Sequence, residues 1–240
     1  AKDMSYILNE ALSQEEKGAH ILDVNVGMNE IDQKEMMKKI VYEIQSVSDI
    51  PLQIDAEDPE VLETALRMYN GKAMVNSVNG KEESMKAVFP LIKKYGGVVV
   101  ALCLDENGIP DTAEGRFSIA LKISEKAKEY GIDIKNIVFD PLAMTVSTGK
   151  DNANITLETI KLIKERLNAN TVMGVSNISF GLPHRENINS TFFALSLNAG
   201  LSAGIINPLS DGMLAAYHSY LALSGKDDNC TLYIEKYGAE

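Results

Sequence analysis

Apolar and polar positions alternate between two periods along this chain. Residues 3–17 place Ile7, Leu8, Ala11 and Leu12 at three- and four-residue spacing, which predicts a helix ended by Gly18. His20–Val26 follows as a near-continuous apolar run, the pattern of a parallel strand buried on both faces. Its polar exceptions, Asp23 and Asn25, fall two apart and point to one side. A helix over Gln33–Gln45 comes next, with Met36, Met37, Ile40 and Ile44 inward.

The couplet then repeats. Strand Pro51–Asp55 leads through the Asp58-Pro59 start signal into a helix striped by Val61, Leu62, Ala65, Leu66 and Met68. Strand Lys72–Asn76 turns at Asn79-Gly80 into a helix over Glu82–Tyr95. Strand Gly97–Cys103 precedes an acidic loop, Asp105–Asp111, and a helix over Thr112–Tyr130. Strand Asn136–Asp140 precedes a helix over Ile155–Leu167. Strand Thr171–Val175 precedes a helix to about Asn198 with Phe192, Leu195 and Ala199 on one face. Strand Ala203–Asn207 precedes a helix over Met213–Leu223. Residues 224–240 read as a partly helical surface segment or linker outside a single domain over 1–223.

An opening helix and seven strand–helix units of roughly 30 residues, without a linker, predict an α/β chain folded as a (β/α)8 TIM barrel. A doubly wound open sheet competes. The barrel is preferred because the strands end in polar side chains: Asn25, Asp55, Asn76, Asp140, Asn177 and Asn207. An open sheet would gather such groups at one switch point. The chain starts on a helix, so the first strand of an eight-stranded barrel is expected to be missing.

Composition and charge narrow the chemistry. The net charge of −11 would repel phosphate, so no nucleic-acid partner is expected. No apolar run approaches the ~18 residues of a membrane span. Two cysteines build no disulfide framework, which fits a reducing cytoplasm. His20, His184 and His218 lack zinc-site spacing, and no metal is expected. The sequence carries no phosphate-binding glycine loop and no nucleophile elbow. What is left is a mouth of carboxylates and carboxamides. Such groups suit a flat heterocycle that offers donors and acceptors on one edge. A sugar would suit them too, but this chain has no Trp to stack against one. Within Thr171–Thr191, Ser176, Asn177 and Ser179 emerge at a strand end ahead of Gly181 and Pro183. From spacing alone, Asn177 is either a turn cap or a working amide.

The runs GAHILDVNVG (18–27), PLQIDAEDPEVLETAL (51–66), KAMVNSVNG (72–80), VFDPL (138–142) and GVSNISFGLPHRENINSTF (174–192) resemble the pterin-binding domain family. Within it they are most similar to the folate modules of cobalamin-dependent methionine synthase and of methyltetrahydrofolate:corrinoid methyltransferases. The resemblance covers nearly the whole chain. It implies a barrel that holds 5-methyltetrahydrofolate as methyl donor in its mouth. The N5 methyl would pass to cob(I)alamin, a corrinoid carried by a partner domain or protein. It also implies that Asp55, Asn76 and Asp140 hold the pterin, with Ser176 and the Asp23/Asn25 strand end beside them. Asn177 would hydrogen-bond N5, and Arg185 would lie near the outer part of the folate. A methyl group on a neutral tertiary amine is a poor electrophile. An amide at N5 stabilises the developing charge while water or an acid network supplies the proton. The resemblance further implies a first strand before Ala1 that brings a Glu and an Asn. Dihydropteroate synthase is the alternative enzyme, and a folate-binding module without turnover is the non-enzyme alternative. A homodimer stays open.

Overall fold

In the computed structural model, residues 3–27 and 31–238 are described; the last two positions of the expected tail fall outside them. Seven parallel strands stand side by side in chain order: β1 (Leu22–Asn25), β2 (Leu52–Asp55), β3 (Ala73–Asn79), β4 (Gly97–Leu102), β5 (Ile137–Asp140), β6 (Asn170–Gly174) and β7 (Ala203–Ile205). Helices alternate with them: α1 (Met4–Glu16), α2 (Gln33–Gln45), α3 (Pro59–Met68), α4 (Glu82–Tyr95), α5 (Ala113–Glu129), α6 (Asn152–Leu162), α7 (Arg185–Ala199) and α8 (Asp211–Leu223). A ninth, α9 (Thr231–Tyr237), closes the described chain. Among the described residues this is a nearly closed TIM barrel of seven strands.

The period of two along each strand sorts side chains into two layers. Leu22, Val24, Ile54, Val75, Val99 and Phe139 turn outward into the apolar layer beneath the helices. Met74, Val100, Val138 and Val172 turn inward and, with Val98, Leu102 and Ile205, fill the barrel. Side-chain caps start several helices at the expected places. Asp58 accepts from the amide of Glu60 at 2.8 Å, and Thr112 from that of Gly115 at 3.1 Å. Each such cap contributes about 1 kcal/mol.

A seam separates β7 from β1. Among the described residues no ladder joins β7 to β1. In a parallel strand, alternate residues send both backbone groups to the same neighbour. Leu22 donates to Pro51 on the β2 side and Ser202 to Thr171 on the β6 side. The backbone groups of Asp23 and Asn25 in β1, and of Ala203 and Ile205 in β7, therefore face the seam. A cavity of about 630 Å³ runs along it, from Gly18–Ile21 at the foot of β1 to Pro208 beyond β7, with Asp23 and Gln53 on its wall.

Several boundaries differ from expectation. The inner face of α7 is Phe192, Phe193, Ser196, Leu197 and Ala199, whereas Leu195 is 50% exposed. With the helix starting at Arg185, the 3.6-residue period turns position 195 to solvent. Val175 leaves β6 for a 3-10 turn, Val175–Ser179, and α6 begins at Asn152 rather than Ile155. β3 runs three residues past Asn76 to Asn79 and leads directly into the expected Asn79-Gly80 turn. In the tail, buried Asp227 accepts from the amides of Leu232 and Tyr233, both at 3.0 Å, which starts α9.

Candidate active site at the barrel mouth

Three of the expected groups form a row across adjacent strand ends. Asn25 is in register with Asp55, and Asp55 with Asn76. Asn25 Nδ2 donates to Asp55 at 2.8 Å, while its Oδ1 accepts from the Gly27 amide at 2.7 Å. Asn25 is therefore held on both sides, and it orients the carboxylate next to it. Burial raises the Asp55 carboxyl above its usual range; the Asn25 hydrogen bond pulls it back, and the nearby charge of Glu57 raises it further. The Asn76–Ser77 peptide bond is cis, and the β3–β4 register shifts between Asn76 and Val78.

One layer below, Gln53 donates to Asp23 at 2.5 Å. Asp23 is raised to about 6, first by burial, with the Gln53 bond lowering it and the Asp55 charge raising it. Asp23 also lines the seam cavity.

Asp140 ends β5 across the barrel, in register with Leu102. Burial pushes its carboxyl up to about 7, against the Leu142 amide bond and the positive charge of Arg116. The Leu142 amide donates to Asp140 Oδ1 at 2.7 Å, and Leu142 itself has a left-handed φ of 62°. The β5–α6 loop is tied to the turn that carries Asn177. Thr145 and Ser147 hydroxyls donate to the Phe180 carbonyl at 2.8 and 3.0 Å, and the Val146 amide to Ile178 at 2.9 Å.

Asn177 sits at the exposed rim in that 3-10 turn, and its carboxamide makes no hydrogen bond among the described residues. Glycine at 174 permits this placement: a Cβ there would lie 3.2 Å from Asn177 Nδ2. Asn207, by contrast, does cap its own turn, its Oδ1 accepting from the Leu209 amide at 3.0 Å. Ser176 is also exposed. Arg185 reaches inward to the turn itself, donating to the Ser176 carbonyl at 2.6 Å and to Ser179 Oγ at 2.9 Å. Its guanidinium also lies 5.2 Å from the Phe180 ring centroid. The arginine expected near bound folate thus braces the loop that carries Asn177.

Two residues beneath and behind the mouth escaped the sequence reading. Gln53 is the inward neighbour two residues before Asp55, and strand alternation alone marks it. Arg116 is a charged residue in step with the apolar stripe of α5, Ile119, Ala120, Ile123 and Ala127, and is 1% exposed. A base on a buried stripe was the available signal. Among the described residues, no three His, Cys, Asp or Glu side chains stand close enough to hold a metal ion. None of the described helices is long and apolar enough to cross a membrane.

A row of amides and raised carboxylates in a seven-stranded barrel mouth is joined by one further finding: residues 1–207 match the family model described as pterin binding enzyme. The chain belongs to the pterin-binding enzyme family. Among relatives within reach of this family, a methylcorrinoid:tetrahydrofolate methyltransferase of Eubacterium limosum is 32% identical over 237 residues, covering 97% of this chain and 87% of its own. Methionine synthase of Mycobacterium tuberculosis is 32% identical over 220 residues, 86% of this chain but 18% of its own. The methionine synthase of Mycobacterium leprae is 32% identical over 223 residues, again 18% of its length. This pterin-binding chain therefore spans less than a fifth of the methionine synthases it matches.

Proposed function

We propose that this chain is a methyltransferase that moves a methyl group between the N5 atom of tetrahydrofolate and a corrinoid carried by a partner protein or domain. The observation that carries the reading is the Asn25–Asp55–Asn76 row facing Asp140, with the uncommitted Asn177 amide at the rim of the same mouth. Asp55 and Asp140 accept N–H bonds from the pterin edge, and Asn76 meets a donor and an acceptor together. Asn177 hydrogen-bonds N5 and stabilises the charge that develops there as the C–N bond breaks or forms. Its amide transfers no proton, so water or a raised carboxyl supplies one. Exposed Ser176, Asn177 and Phe180 leave the rim open to an acceptor brought from outside. When bound to its carrier, the corrinoid supplies the metal centre that exchanges the methyl group.

We write the transfer from methyltetrahydrofolate to corrinoid; the name of the Eubacterium limosum relative writes it the other way. A displacement at one carbon passes the same transition state in both directions, so the same N5 contact serves each. Asn177→Ala should lower the transfer rate about 10²–10³-fold while folate affinity changes far less. Stopped-flow transfer and calorimetry on one preparation measure both. Equal losses would make Asn177 a binding residue only. Folate binding without transfer to any corrinoid protein would favour a binding module.

A further inference from the structure

Among the described residues Arg116 is the largest fully buried side chain, and none of its hydrogen bonds goes to a carboxylate. Its guanidinium spends its donors on backbone. Nε donates to the Pro110 carbonyl at 3.0 Å, and Nη1 to the Pro141 and Leu142 carbonyls at 2.8 and 2.7 Å. The same Nη1 lies 3.4 Å from Thr156 Oγ1 on α6. Leu142 is thereby gripped at both ends. Arg116 takes its carbonyl from behind the barrel wall, and Asp140 takes its amide at the mouth. A leucine with φ of 62° does not hold such a backbone unaided.

We infer that Arg116 is a positioning residue for the mouth: it fixes the Pro141–Leu142 turn and so aims the Asp140 carboxylate at the bound pterin. The inference rests on the folate reading above. Arg185 does the corresponding work for the Asn177 turn, so each site loop has one guanidinium bracing its carbonyls. A planar fork can serve carbonyls in several directions at once, and an ammonium point charge cannot.

The test is Arg116→Lys in the full chain, which keeps the charge and removes the fork. Without ligand, exchange of the Leu142 amide should speed by about tenfold or more, while amides of β2 and β6 keep their protection. With ligand, tetrahydrofolate Kd should rise about tenfold while the transfer rate at saturating folate stays within about twofold. Unchanged Leu142 exchange, or a loss of rate at unchanged affinity, overturns the inference. So does a wild-type Leu142 amide that exchanges as fast as an exposed loop, a measurement that needs no variant to fold. The exchange arm decides the role of Arg116 without folate, whereas failure of the wild-type chain to bind folate overturns the functional reading instead.

Discussion

The arc from β2 to β6 and the seam between β7 and β1 are built from the same strand–helix unit, yet only the arc is finished. Along the arc each strand has two neighbours, Val100 and Val138 are covered inside the barrel, and the loops above are laced to one another. At the seam two strands have one neighbour each, and a cavity of about 630 Å³ lies where their backbones face each other. The difference shows what closure contributes. Asp55, inward on a strand with a neighbour on each side, stands in register between Asn25 and Asn76. Asp23, equally inward, opens instead onto the seam.

Truncation is the strongest way to break this comparison. Phe139→Ala removes a fully buried ring from the arc and should cost about 3–5 kcal/mol. Ile205→Ala at the half-buried seam should cost about 1–2 kcal/mol. Urea unfolding with matched m-values compares them; equal costs would mean that the seam is packed as tightly as the arc.

Exchange sharpens the contrast without mutation. Amides of Asp23, Asn25, Ala203 and Ile205 face the seam, so they should exchange at least about a hundredfold faster than those of Val99 and Val100. Protection at all of them would show that something covers the seam in solution.

The pH dependence of stability separates the two regions in another way. An unfolded aspartate titrates near about 3.9. Asp140, raised to about 7, and Asp23, raised to about 6, keep their protons above that point while folded. The folded state then binds more protons than the unfolded one, so each contributes stability that is full below about pH 4 and is lost as pH rises through its folded pKa. Asp140→Asn should flatten the slope up to about pH 7, and Asp23→Asn only to about pH 6. A larger change from Asp23→Asn would make the seam the drier of the two environments.

Most of the repeat was legible because it depends on period. Strands with inner and outer faces, the order of strands and helices, and inward Asp55, Asn76 and Asp140 follow from alternation, caps and apolar stripes. The same rules misplaced Leu195, because 192, 195 and 199 were read as the stripe where 192, 193, 196 and 197 form it. They also overlooked Arg116, whose partners Pro141 and Leu142 lie in a loop 25 and 26 residues away in sequence.

Taken by itself, the sequence determined that polar groups would collect at the strand ends of a βα barrel, since local periodicity dictates which way each side chain points. Tertiary structure alone decided what those groups do once there. It committed Asn25 to Asp55 and Gly27, turned Arg185 into the brace of the Asn177 turn, and left the Asn177 amide free. Hydrogen-bond partners are set by distances between elements, and no local pattern encodes those.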